Sequence, residues 1–217
     1  MGLVAKANEG SGSSFIPVPS GMHLARCYRI VDLGTQESSY KGEVRRVHRA
    51  MFQFEVHSED AQGNPLVTSN GDPMTVTKTF TVSLGDKATM RKDLETWRGK
   101  PFTPEERNHF ELRNVLGQWA MITVSENESN GKVYTNIANI NPVPLTIKKN
   151  GLPEGKNELK IFDIDEADME LFESFSEGLK EKIRKSPEWQ RLYGDPSTSS
   201  NIAPSANFDD MADDLPF

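Results

Sequence analysis

The chain has 217 residues, of which 35% are hydrophobic and 26% charged, with a formal net charge of −7 and a single cysteine. No run approaches the roughly 18 apolar residues of a membrane span, and Cys27 alone excludes an intramolecular disulfide framework. The length suits one well-buried domain with appendages, or two small ones, and the lone thiol, set in an apolar run, reads as core filler in a cytoplasmic protein.

Residues 1–20, with Gly10-Ser11-Gly12-Ser13-Ser14, read as a flexible N-terminal segment lacking an apolar stretch of signal-peptide length. Gly21 to Leu33 is a strand candidate. Val44 to Val56 alternates more clearly: Ala50, Phe52, Phe54 and Val56 share one face, and Arg49, Met51, Gln53 and Glu55 the other. Met74 to Leu84 sets Val76, Phe80, Val82 and Leu84 against a row of threonines and Ser83. Gln62-Gly63-Asn64-Pro65 and Asn70-Gly71-Asp72-Pro73 punctuate the connection before it. The period then changes. After Asp86, a candidate N-cap, Met90, Leu94 and Trp97 recur at helical spacing until Gly99. Thr103-Pro104-Glu105-Glu106 carries the capping-box pattern of a second helix start. Strand patterning resumes over Trp119 to Ser125, turns at Asn130-Gly131 and returns through Lys132 to Ile140.

Three strands, a helical connection and a hairpin give an expected all-β core over residues 21–149. The matching architecture is a five-stranded OB-fold Greek-key barrel with a helical insertion between strands 3 and 4. Another small barrel or an α+β sandwich is the rival. Beyond a boundary at Gly151 to Gly155, residues 150–193 read as a helical extension. There Asp165 is the expected cap for a stripe of Met169, Phe172, Phe175, Leu179 and Ile183, and Ser186-Pro187 starts a further turn. The expectation is that these helices pack on the barrel or on a neighbouring subunit. Residues 194–217 read as a disordered Ser/Pro/Asn-rich linker and an acidic tip.

The segment from Lys87 to Thr103, preceded by Phe80-Thr81-Val82-Ser83-Leu84 and followed by Gly131-Lys132-Val133-Tyr134-Thr135-Asn136-Ile137, resembles phage-encoded single-stranded DNA-binding proteins. The tip, Phe208 to Phe217, resembles the C-terminal end of bacterial single-stranded DNA-binding proteins, which close an Asp-rich run with Pro-Phe. The resemblance implies an OB barrel that coats single strands without sequence preference in replication, recombination or repair.

Charge placement agrees. Residues 21–149 carry 17 Lys and Arg against 15 Asp and Glu, whereas residues 150–217 carry 7 against 16. Single strands are held by cations along the phosphates and by aromatic faces under the bases. The candidate DNA contacts are therefore Arg26, Arg45, Arg46, Arg49, Lys78 and Lys132, with Tyr28, Trp119 and Tyr134 for stacking. The densest cluster is Arg45, Arg46, His48 and Arg49. In the tip, Asp209, Asp210, Asp213 and Asp214 precede the apolar hook Leu215-Pro216-Phe217, a signal for partner proteins to read. Its aspartates would also compete with phosphates for the basic cluster, across a tether spanning roughly 25–30 Å.

Enzyme readings find little support. His23, His48, His57 and His109 have no paired ligand spacing, one cysteine supports no thiolate zinc site, and no Walker loop occurs. The expectation is a non-enzymatic protein with no metal or cofactor and no membrane partner. Single-stranded DNA and replication or repair proteins are the partners, and self-association on DNA is left open. The alternative function is a protein-interaction adaptor on an OB-like barrel with little DNA binding of its own.

Overall fold

The computed structural model describes residues 17–40, 43–129 and 132–194. The long strand β1 (Gly21–Tyr40) folds back through β2 (Glu43–Val56), and β3 (Thr75–Thr81) extends the sheet beyond β2. On the other side of β1 lie β4 (Trp119–Ser129) and β5 (Lys132–Asn141). These five strands are antiparallel in the order β3-β2-β1-β4-β5, and a short β6 (Lys160–Phe162) joins β1 in parallel. The ladder path ends at β3 and β5, so the sheet is open in its hydrogen bonding. The two end strands nevertheless approach each other, and Lys78 Nζ donates to the Ala138 carbonyl at 3.3 Å.

The expected helical connection lies between β3 and β4. It consists of α1 (Thr89–Arg98), α2 (Pro104–His109) and a 3-10 turn (Leu112–Val115). Gly99 closes α1 in the left-handed conformation at φ 72°, returning its N–H to the Glu95 and Thr96 carbonyls. Thr103 and Glu106 form a reciprocal capping box at the start of α2. Asp86 does not cap α1. The N-cap is Ala88, while Asp86 accepts from Arg91 and Arg107 and ties the two helices together.

Two cores result. The first fills the concave side of the sheet, where Ala25, Cys27, Ile30, Phe52, Phe54, Phe80, Ile122, Val124 and Ile140 meet Met90, Leu94 and Trp97 of α1. Phe52 and Phe80 meet edge to face at 5.1 Å between centroids, and each fully buried ring contributes about 1.5–3 kcal/mol by leaving water. Trp97 completes its polar bonding through Nε1 to the Trp119 carbonyl at 2.9 Å. Burial pushes the Cys27 thiol strongly up, consistent with core filler. This core reaches back to Val18, ahead of the boundary expected at residue 20.

The second core lies on the opposite face. β1 changes register between Cys27 and Arg29 and again between Asp32 and Gly34, so Val31 and Leu33 point away from the first core. After α3 (Leu145–Asn150) and β6, three helices cover them: α4 (Met169–Glu173), α5 (Glu177–Arg184) and α6 (Pro187–Tyr193). Phe162, Phe172, Phe175, Ile183 and Trp189 form the cover, with Phe172 and Trp189 stacked at 4.3 Å. Asp168 caps α4 by accepting from Leu171 N, whereas the expected cap Asp165 lies upstream of it; Ser186 caps α6 as expected. The helical extension therefore packs on the sheet.

A buried carboxylate fixes the start of that extension. Glu55 has no exposed side-chain surface, yet its oxygens accept from Arg26 Nε at 2.6 Å, Asn157 N at 2.7 Å, Asn157 Nδ2 at 2.6 Å and Lys156 N at 3.2 Å. Burial alone would raise its pKa, but the Asn157 hydrogen bonds, with His57 and Arg26, outweigh that and hold the carboxyl below the usual range. No helix among the described residues is long and apolar enough to cross a membrane.

Candidate nucleic-acid interface

Beyond the sheet proper, β1 and β2 continue as a two-stranded arm. From Thr35 to Tyr40 and from Glu43 to His48 they pair with one another, while the ladder to β3 begins only at Arg49. The arm carries the basic cluster. Strand alternation puts Arg45 and Arg49 on one face and Arg46 and His48 on the other, so the cluster is not a single outward row.

Each cation sits in a different setting. Arg45 meets Glu43 at 3.0 Å and Arg46 meets Glu37 at 3.2 Å, with 41% and 48% of the two arginine side chains exposed. Exposed pairs of this kind are worth about 0–1 kcal/mol, so a phosphate can replace the carboxylate at little cost. Arg49, at the base of the arm, makes one long contact from Nη2 to Ser38 Oγ at 3.5 Å. His48 Nε2 lies 2.7 Å from Asp32 Oδ1, and that hydrogen bond leads the causes that raise its pKa, against partial burial.

Other expected contacts lie elsewhere. Arg26 is bound to Glu55 and donates from Nη2 to the Asn157 carbonyl at 2.6 Å, under the segment that leads to β6. Gly155 makes room for it, because a Cβ there would stand 1.7 Å from the guanidinium carbon. Tyr28 is buried at a register shift of β1, with the Arg29 guanidinium 5.3 Å from its ring centre. Lys78 pairs with Asp93 of α1 at 2.6 Å and links β3, α1 and β5. These three side chains hold the fold together and do not join the arm.

Trp119 is half-buried on the outward face, where it pairs with Arg26 across the ladder and meets the His57 ring edge to face at 4.9 Å. Tyr134 is 51% exposed on the β4–β5 hairpin, opposite Asn127. Around it this face is largely uncharged: Thr123 with Asn139, and Ser125 with Asn136. Lys132 opens β5, but its side chain lies outside the described residues, as do Asp209, Asp210, Asp213, Asp214, Leu215, Pro216 and Phe217 of the tip.

A cavity of about 500 Å³ adjoins the base of the arm, floored by Ile30, Ala50, Val82, Leu112 and Phe162. Asp32, Glu111 and Asp163 at its rim outnumber His48 and Arg113, which does not suit a phosphate. No group of three or more His, Cys, Asp or Glu residues that could hold a metal ion occurs among the described residues. Sequence reasoning passed over Glu55 and Glu188, the carboxylates that fix Arg26 and the base of the arm. Their partners are distant in sequence, and no local pattern marks them. No protein-family model matches the chain, and no curated protein matches it.

Proposed function

We propose that the chain is a non-enzymatic protein that binds single-stranded DNA without sequence preference, using the β1–β2 arm as its main phosphate contact. The carrying observation is the arm itself: Arg45 and Arg46 are substantially exposed and each meets an exposed carboxylate, with Arg49 at the base bound to no acid among the described residues. Strand order β3-β2-β1-β4-β5, with helices between β3 and β4, supports an OB-type barrel in which β3 and β5 face each other across the closing gap. Tyr134 supplies an exposed stacking face, and Trp119 a partly covered one.

On this reading the protein coats transient single strands in replication, recombination or repair, in the cytoplasm of a bacterial host if its source is a phage. The acidic tip recruits partner proteins and competes with DNA for the arm. The adaptor reading draws on the uncharged β4–β5 face, which suits a protein partner better than a phosphate backbone. Binding to oligo-dT and to a duplex of equal length separates the two. Preference for oligo-dT supports the single-strand reading, and equal or absent binding refutes it.

A further inference from the structure

The arm leaves the sheet next to the C-terminal helices, and the contacts between them are polar and specific. Glu188, in the first turn of α6, accepts from Thr35 N at 2.8 Å through Oε2 and from Thr35 Oγ1 at 2.5 Å through Oε1. His48 Nδ1, on the partner strand, lies 3.8 Å from the same Oε1. One residue earlier in β1, Gly34 has φ +64° and lies so close to α6 that a Cβ would meet Ser186 Cβ at 2.5 Å. One residue later, Gln36 Nε2 donates to the Lys182 carbonyl of α5 at 3.0 Å and to the Leu33 carbonyl at 2.6 Å. Gly34, Thr35 and Gln36 are thus held in succession just where β1 turns from sheet into arm.

We propose that Glu188 is a positioning residue for the basic arm, fixing from α6 the direction in which β1 and β2 project. The inference rests on the single-strand reading of that arm. A two-stranded ribbon without a third strand has little stability of its own, so the direction of its arginines depends on what holds its base. Glu188 holds β1 through Thr35 and faces β2 through His48, and both strands are therefore set against one carboxylate. Pre-setting the arm lowers the ordering cost that binding must otherwise meet. α6 ends at Tyr193, so the same helix that holds the arm is the described element nearest in sequence to the acidic tip.

Simple charge reasoning makes the opposite prediction. Glu188 is an acid beside a basic surface, and its removal should strengthen phosphate binding if it acts only through the field. Positioning requires that Glu188→Gln weaken binding, because the amide can still accept from the Thr35 N–H and donate to the Thr35 hydroxyl but has lost the charge that strengthens both contacts and faces His48. The expected loss in oligo-dT affinity is about fivefold, the size expected when charge-assisted contacts become neutral ones. Proton control is a further readout. His48 faces Asp32 of β1, Glu188 of α6, Asp163 and Asp165 of the turn before α4, and Glu111 and Arg113 of the 3-10 region, with Arg46 on its own strand. Its protonated form draws Asp32 and Glu188 together, so the hold relaxes as His48 loses its proton.

The test uses the full chain. Oligo-dT affinity and backbone NMR order for residues 35–38 and 43–48 are measured for the wild type, Glu188→Gln and Thr35→Val. The valine variant removes only the hydroxyl donor and covers the case in which Glu188→Gln fails to fold. Weaker binding with a more mobile arm supports the proposal, and so does a loss of the wild type's pH dependence of arm order. Stronger or unchanged binding, or an arm whose order does not change, overturns it. If the wild type itself fails to prefer oligo-dT, the functional reading fails, and the arm-order measurement still decides whether Glu188 positions the arm.

Discussion

Glu55→Ala should destabilise the protein far more than an ordinary surface change. Glu55 lies on the outward face of β2, yet it is fully buried and accepts from one guanidinium, two backbone amides and one side-chain amide. Truncation would leave Arg26, with 13% of its side chain exposed, facing only the Asn157 carbonyl. Breaking one partner of a buried pair costs about 3–5 kcal/mol, and the partial exposure of Arg26 places this case near the lower end. In a domain of this size about 3 kcal/mol corresponds to a fall in Tm of about 6–12 °C. Glu55→Gln should cost about half as much, since its oxygen still accepts while its NH2 faces other donors. The assay is thermal unfolding followed by circular dichroism, with hydrogen exchange at the Asn157 amide as a local probe. A Tm within about 2 °C of wild type, with the Asn157 amide still protected, would refute the argument that this carboxylate anchors the C-terminal extension.

Two further outcomes follow from the same contacts. Gly34→Ala should lower Tm by clearly more than Gly71→Ala: both positions have positive φ, but only Gly34 has a neighbour within contact of the added methyl. Equal losses would show that α6 does not press on the arm. Stability should also fall on both sides of neutrality. Glu55 and Glu188 have depressed pKa values, so their contribution is complete above the ordinary carboxylate range and is lost as pH falls through their folded values. His48 has a raised pKa, so its contribution is complete below the ordinary imidazole value of about 6.5 and is lost as pH rises through the folded value. A series of Tm values against pH checks both limbs, and His48→Gln should flatten the alkaline one more than the acid one, to which His48 contributes only the smallest of the causes that lower the Glu188 pKa.

The strands were legible where alternation was clean. In β2, Ala50, Phe52, Phe54 and Val56 face inward as the pattern required. Both helix starts written as Ser/Thr-Pro, at Thr103 and Ser186, are caps, because that chemistry is local. β1 was only partly legible: two register shifts reverse its facing residues, and its polar end up to Tyr40 carries no apolar period. β6 is three residues long and forms only by pairing with β1, so no local pattern could mark it.

The basic cluster was visible as composition, but not its division between two faces of an arm. Arg26, Tyr28 and Lys78 resembled surface contacts because an outward or polar position in a strand normally meets water. Here the segment around Asn157 covers Arg26, Tyr28 is buried at a register shift against Thr75, and Asp93 of α1 captures Lys78. Each of these partners comes from elsewhere in the chain. Sequence periodicity reports the phase of a side chain and not what later covers it.

The central claim is that the arm binds the phosphates of single strands. Its most direct test is the salt dependence of oligo-dT affinity for the wild type and for a variant carrying Arg45→Ala, Arg46→Ala and Arg49→Ala. Three lost phosphate contacts at about 0.7 each should reduce the slope of log affinity against log salt by about 2, with weaker binding at low salt. An unchanged slope with unchanged affinity would contradict the account and leave the arm without its proposed role.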